Sequence, residues 1–374
     1  MRYKIDTLSL VVATLILAFT FCAPPAAGSR TLRVTDVAGR SVEAPANPQR
    51  VIAVGSGALR LLCYLDVADR VVGVESFEKK PFPGRSYMMA QPSLALLPAI
   101  GPGGPSQINR DPDLEAVLRL SPEAIFITAM EPPKADALQK RLGIPVVVLA
   151  YGKSGVGTFD ETLGESLRLA GKILGQEKRA EAVVGFIEQC RRDLLARAER
   201  MADDRKPRIY VGGISLRGTQ GIESTDADYP PLAWVNARNL AREAARGGHL
   251  FINRERLLAW NPDFLFIDAG GLTLIVQDCR RKPEFYRHLK AVGEKRSYLL
   301  YPFNNYSTNI ETVIADAYAA GKLLYPETFS DIDLAQKCDE IYAFFLGKPV
   351  YGEMKKIFGD LGRVVDLNEA AQTP

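Results

Sequence analysis

The chain has 374 residues, 47% of them hydrophobic and 24% charged, which suits a globular protein of two domains and excludes a disordered or fibrous one. Its 47 basic and 44 acidic residues leave a formal charge of +3 with no basic block and no basic patch interleaved with aromatics, so nucleic acid is excluded as a partner.

The first 28 residues, MRYKIDTLSLVVATLILAFTFCAPPAAG, set Arg2 and Lys4 before an apolar stretch from Leu8 to Phe21 and end on small residues, the pattern of a cleaved export signal. That stretch falls short of the ~20 residues that span a bilayer, which disfavours a retained anchor. Lipid attachment at Cys22 is disfavoured by the bulky Phe21 before it. Cleavage removes two bases and one acid and leaves the mature chain at +2.

From residue 29 to 157, RVIAVG reads as a buried strand, ALRLLCYL as a helix and VVGVE as a strand. DLEAVLRL then reads as a helix, AIFIT as a strand, KADALQKRL as a helix and IPVVVLAYG as a strand. Such alternation predicts a parallel sheet covered by helices. Residues 158–205 carry apolar positions every three or four, with a capping box at Thr158 and Glu161. Gly175 divides them into two helices, the second running from about Glu177 to Met201 as a long strut. Residues 206–374 repeat the scheme with RIYVGG, DFLFIDAG and SYLLYP as strands and add a helical C-terminal extension. The predicted fold is α/β: two similar parallel-sheet lobes joined by one long rigid helix, with a ligand cleft between them.

Duplication is written into the chain. LRLSPEAIFITAM (Leu118–Met130) and LAWNPDFLFIDAG (Leu258–Gly270) both run from an apolar helix through Ser/Asn-Pro-Glu/Asp into a strand, and Glu115 and Glu255 each stand seven residues before the proline. The four cysteines beyond the signal form no CxxC pair, which argues against structural zinc. Cys63 reads as a core residue, and a disulfide between Cys279 and Cys338 is an open possibility in an exported protein. His249 and His288 have no partner that suggests a triad or a metal-ligand cluster.

An exported chain that opens TDVAGRSVEAPANPQRVIAVG, with two α/β lobes and one long helix between them, resembles the periplasmic substrate-binding proteins of ABC importers for iron-siderophores, haem and vitamin B12. The resemblance runs from about Thr31 to Leu324, and Asp36, Gly39, Pro45, Pro48, Arg50 and Val51 stand as that family writes them. It implies lobes that face each other across a cleft with little rocking, a monomer in the periplasm or on the outer face of the cytoplasmic membrane, and a dimeric ABC permease as partner. It also implies that Glu115 and Glu255 dock onto permease arginines, one acid per lobe.

Ligands of open α/β sheets bind beyond the carboxyl ends of the strands, where loops present free N–H groups. In the first lobe those loops supply Ser56, Gly57 and Arg60, then Glu75, then Gly103 and Gly104, then Met130 and Tyr151. In the second they supply Gly213 and Arg217, then Asp268 and Gly270, then Asn304 and Tyr306. The glycines allow close approach, and arginine pairs two acceptors of an anion at once. Lys153 is a further charged candidate. GPGGPS lacks the Lys-Ser/Thr ending of a phosphate loop, and no GxSxG or paired nucleophile and base appears, so an enzyme is disfavoured. The expected function is extracytoplasmic capture of a metal chelate, an iron-siderophore first, with no resident cofactor and no protein metal site. Molybdate or tungstate, a corrinoid, haem, or a sensor role without transport are the alternatives.

Overall fold

The computed structural model describes residues 30–151, 161–198, 206–215 and 218–372. The export-signal segment, Lys153, Thr158 and Arg217 lie outside the described residues. A hairpin of β1 (Thr31–Thr35) and β2 (Ser41–Pro45) leads the first lobe. Gly39 takes the left-handed backbone its turn needs, at φ 78°, and the buried Asp36 carboxylate accepts the amides of Arg40 at 2.9 Å and Val148 at 3.1 Å, which pins the hairpin to the lobe.

The first sheet contains β3 (Val51–Val54), β4 (Val71–Gly73), β5 (Ala124–Thr128) and β6 (Val146–Leu149), all parallel, in the order β4-β3-β5-β6. Strands β3, β5 and β6 are buried throughout, as continuous apolar runs covered on both faces must be. Around them lie α1 (Ala58–Tyr64), α2 (Ser86–Ala90), α3 (Leu114–Leu120) and α4 (Pro132–Leu142).

The connector is two helices, α5 (Glu161–Leu174) and α6 (Glu177–Ala198), parted as expected at Gly175, whose φ of 67° suits glycine. At 22 residues α6 is about 33 Å long. It is fastened at both ends. Arg179 donates to the Tyr64 carbonyl of the first lobe at 2.8 Å, while Phe186 stacks on Phe344 at 4.0 Å and Arg197 pairs with Asp331 at 2.6 Å.

The second lobe follows with β7 (Arg208–Gly212), β8 (Ser224–Asp226), α7 (Pro230–Trp234), β9 (Arg238–Asn239), β10 (His249–Phe251), α8 (Arg254–Trp260), β11 (Phe264–Asp268), α9 (Leu272–Arg281), α10 (Pro283–Arg287), α11 (Lys290–Gly293), β12 (Ser297–Leu300) and α12 (Ile310–Leu324). Helices α13 (Leu334–Leu346), α14 (Tyr351–Phe358) and α15 (Leu367–Gln372) close the chain. Its parallel sheet runs β12-β11-β7-β9. Matching β7 to β3, β9 to β4, β11 to β5 and β12 to β6 reproduces the order of the first sheet strand for strand.

The repeated sequence has a physical cause. In each copy a side chain caps the helix start, Asp113 on the Ala116 amide at 3.0 Å and Asn253 on the Arg256 amide at 2.9 Å. Each helix then ends on a left-handed residue, Ser121 at φ 47° or Asn261 at φ 42°, and proline follows. The next acid turns back to the neighbouring strand: Glu123 accepts the Arg50 amide at 3.0 Å, and Asp263 accepts the Arg208 amide at 2.9 Å. Cap, stop and pin must keep fixed spacing to set the central strand in register, and that spacing is what the two sequences share.

One apolar cluster runs from Val34 through α6 to Leu367 and so belongs to both lobes, and a smaller one fills the other face of the first sheet. The four cysteines are buried and free, and Cys279 donates to the Leu367 carbonyl at 3.1 Å, so no Cys279–Cys338 disulfide forms. No helix among the described residues is long and apolar enough to cross a membrane.

Candidate functional site

Arg60 sits one turn into α1, which starts directly after the Gly55-Ser56-Gly57 turn that ends β3. Its side chain is wholly buried. Nη1 donates to the Thr308 carbonyl at 2.9 Å; Nη2 donates to the carbonyls of Asn305 at 2.9 Å and Tyr306 at 3.3 Å. The guanidinium lies 4.6 Å from the Tyr87 ring and 3.5 Å from the Tyr151 hydroxyl, and its Nε has no hydrogen-bond partner among the described residues. A buried cation from the first lobe is therefore held by one loop of the second: its hydrogen bonds among the described residues go to neutral oxygens, and the Glu311 carboxylate attracts it through space. The turn before it is shaped around Tyr151, whose hydroxyl donates to the Gly57 carbonyl at 2.8 Å; a Cβ at Gly57 would lie 2.3 Å from that ring.

Glu75 follows β4. The Tyr306 hydroxyl donates to its carboxylate at 2.6 Å and accepts the Gly104 amide at 3.0 Å, while the Tyr306 ring packs 4.6 Å from Phe77. Burial pushes the Glu75 carboxyl up to about 7, against the opposing bonds from Tyr306 and the Gly55 amide. The glycines of GPGGPS serve this packing: a Cβ at Gly103 would meet Glu75 at 2.6 Å, and one at Gly104 would meet Phe77 at 2.8 Å.

In the second lobe Asp268 ends β11, buried, with its carboxylate accepting the Gly270 amide at 2.8 Å. Burial raises it to about 7. Gly213 and Gly271 bring two backbones together, since a Cβ on Gly271 would lie 2.5 Å from the Gly213 Cα.

Gly57, Arg60, Glu75, Gly104, Tyr151 and Tyr306 thus form one bonded assembly across the two lobes, joined by Gly103 through packing. Asp268, Gly270 and Gly213 form a second group within the second lobe. Ser56 contributes its carbonyl to the Thr128 hydroxyl at 2.9 Å. Asn304 is engaged by its backbone in a bridge to Thr308, and the neighbouring Asn305 supplies the oxygen that meets Arg60. Met130, expected at the ligand, instead packs in the apolar cluster behind the first sheet, because left-handed Ala129, at φ 55°, interrupts the alternation that continues β5.

Sequence reasoning missed a third interlobe contact. Glu311, wholly buried on α12, accepts the hydroxyls of Tyr64 and Ser86, and the Ile310 amide donates to the Tyr64 hydroxyl at 3.1 Å. An acid inside the apolar run NIETVIADAY was the available signal. Behind Tyr87, a buried Glu78 accepts Arg85 at 2.7 Å and the Tyr87 hydroxyl at 2.6 Å. No group of three or more His, Cys, Asp or Glu able to hold a metal ion occurs among the described residues. Glu115 and Glu255 are exposed in the first turns of α3 and α8, and Glu115 pairs with Arg119 at 2.7 Å.

Two lobes of matching topology, with their strand-end loops meeting around a buried cation, form a receptor's architecture, and a family model for periplasmic binding proteins matches residues 51–302. The chain belongs to the periplasmic binding protein family. It is the substrate-binding receptor of an ABC transporter. The molybdate-binding protein MolA of Haemophilus influenzae is 23% identical over 356 residues, covering 90% of this chain and 95% of that protein. The iron-uptake system-binding protein of Bacillus subtilis is 25% identical over 203 residues, 52% of this chain and 60% of that one. Among solved structures, MolA bound to molybdate matches with a TM-score of 0.66 at 21% identity, covering 86% of this chain and 98% of the other. A periplasmic solute binding protein from Veillonella parvula matches with a TM-score of 0.68 at 20% identity, covering 88% and 97%.

Proposed function

We propose that this periplasmic binding protein captures a compact oxyanion, molybdate or tungstate, between its lobes and delivers it to a membrane permease. The observation that carries this is Arg60, a fully buried guanidinium whose hydrogen bonds among the described residues go to neutral oxygens and whose Nε has no partner among them. A buried charge whose hydrogen bonds go to neutral dipoles, with the Glu311 carboxylate acting on it only through space, is well placed to take an anion, and a planar fork grips two oxygens at once. MolA, which covers most of the chain, is named for molybdate. A metal chelate, the first expectation from sequence, fits less well. It would have to part three sets of interlobe bonds, at Arg60, Tyr306 and Glu311, whereas a small anion needs only the partners of Arg60. The B. subtilis iron-uptake relative keeps ferric chelates as the second reading.

In this proposal residues 1–28 are the export signal, and lobes 29–157 and 206–374 flank the connector 158–205. Glu115 and Glu255 are the permease-docking acids. Calorimetric titration of the mature protein with sodium molybdate, sodium tungstate and a ferric siderophore tests the ligand. Arg60→Ala should weaken oxyanion binding about ten- to a hundredfold, the cost of one charge-assisted hydrogen bond at ~1.5–3 kcal/mol. Tight binding of the ferric siderophore with no heat from molybdate or tungstate would replace the oxyanion with a chelate.

A further inference from the structure

The loop from Asn304 to Thr308 turns three of its carbonyls, at 305, 306 and 308, toward a single guanidinium 245 or more residues away. It does so in an unfavourable backbone. Tyr306 and Ser307 both lie in the left-handed region, at φ 53° and 72°, although neither is glycine or asparagine. Such strain persists only where surrounding contacts hold it. The contacts here are Arg60 on the carbonyls, the Tyr306 hydroxyl on Glu75 and the bridge from Asn304 to Thr308. Carbonyl oxygens carry partial charge only, and the Glu311 carboxylate, which attracts the guanidinium through space, spends its oxygens on the hydroxyls of Tyr64 and Ser86; Nε has no partner among the described residues.

We infer that Arg60 is a two-position latch: without ligand it holds the strained 304–308 loop across the lobe interface, and a bound oxyanion takes the guanidinium in exchange and frees that loop. This rests on oxyanion capture as proposed above. The exchange is favoured because a full negative charge pairs with the guanidinium better than neutral carbonyls do, and because the released loop relaxes its left-handed residues. The loaded state would then be marked at the lobe interface by the 304–308 loop, at the start of α12, without a large rotation of the lobes. It also makes the loop a specificity device, since a neutral solute offers Arg60 nothing better than what it already holds.

Hydrogen exchange of the mature protein, followed by mass spectrometry with and without saturating sodium molybdate, tests this. The reporters are the amides of Asn305, bonded to the Ser307 carbonyl at 3.1 Å, and Asn309, bonded to the Phe303 carbonyl at 2.8 Å. Molybdate should speed exchange of the 304–309 segment at least tenfold in the wild-type protein. Arg60→Gln should show the fast rate without molybdate and no further change with it, and Arg60→Lys, which keeps the charge but cannot span three carbonyls, should fall between. Calorimetric molybdate binding by the wild-type protein with unchanged or slower exchange at 304–309 would overturn the latch. Absence of any molybdate binding would instead overturn oxyanion capture; in that case fast exchange in ligand-free Arg60→Gln would still support the hold of Arg60 on the loop, and unchanged exchange would remove that too.

Discussion

At the scale of residues, the interior of the cleft is set by where burial leaves charge. Glu75 and Asp268 have usual values of 4.5 and 3.8, and burial lifts each to about 7. The folded protein therefore holds protons that the unfolded chain gives up near pH 4, so the neutral acids contribute stability in full below those usual values and lose it as pH rises through about 7. Glu75 faces Tyr306, with Glu78 beyond it, and Asp268 lies near Asp316, so no cation opposes the shift among their described neighbours. Melting temperature should fall from pH 5 to pH 8, with each group contributing roughly 1.4 kcal/mol per pH unit inside its window at most. Glu75→Gln and Asp268→Asn should each flatten the slope; scanning calorimetry showing the wild-type and both variants with equal slopes would rule out these protonated acids.

At the scale of elements, much was legible because the signals are local. The Ser/Asn-Pro stops and Gly175 each act within one helical turn, and the structure puts a left-handed stop and a helix break at those places, while the caps at Asp113 and Asn253 were not singled out. Asn253→Ala removes the side-chain cap of α8 and should cost about 1 kcal/mol, read as a lower melting temperature with an unchanged fold. An unaltered melting temperature would mean that the cap of the second copy does no more than decorate the helix. The cleft was less legible for an equally physical reason. Arg60 was singled out by its residue type, but its partners are backbone carbonyls of residues 305, 306 and 308, and a carbonyl leaves no mark in sequence. Glu311 escaped because its partners, Tyr64 and Ser86, lie 225 or more residues away. Met130 was misplaced because the left-handed Ala129 before it breaks the alternation assumed from β5.

At the scale of the whole molecule, two sheets with the same strand order, a strut fastened at both ends and one shared apolar cluster give a receptor whose lobes are built as one body. In the docking proposed above, a pseudo-symmetric pair of exposed acids on equivalent helices would meet a two-fold permease, where charge complementarity sets register and encounter rate more than affinity. Glu115→Ala with Glu255→Ala should leave oxyanion affinity unchanged while uptake into reconstituted vesicles and receptor-stimulated ATP hydrolysis fall sharply; normal uptake by the double variant would remove both acids from the docking surface. The most direct test of the central claim is anomalous diffraction at the molybdenum edge from crystals of the mature protein grown with sodium molybdate. One strong peak between the lobes, within hydrogen-bonding reach of the Arg60 guanidinium, is the expected result, and a peak only at the protein surface, or none, would contradict it.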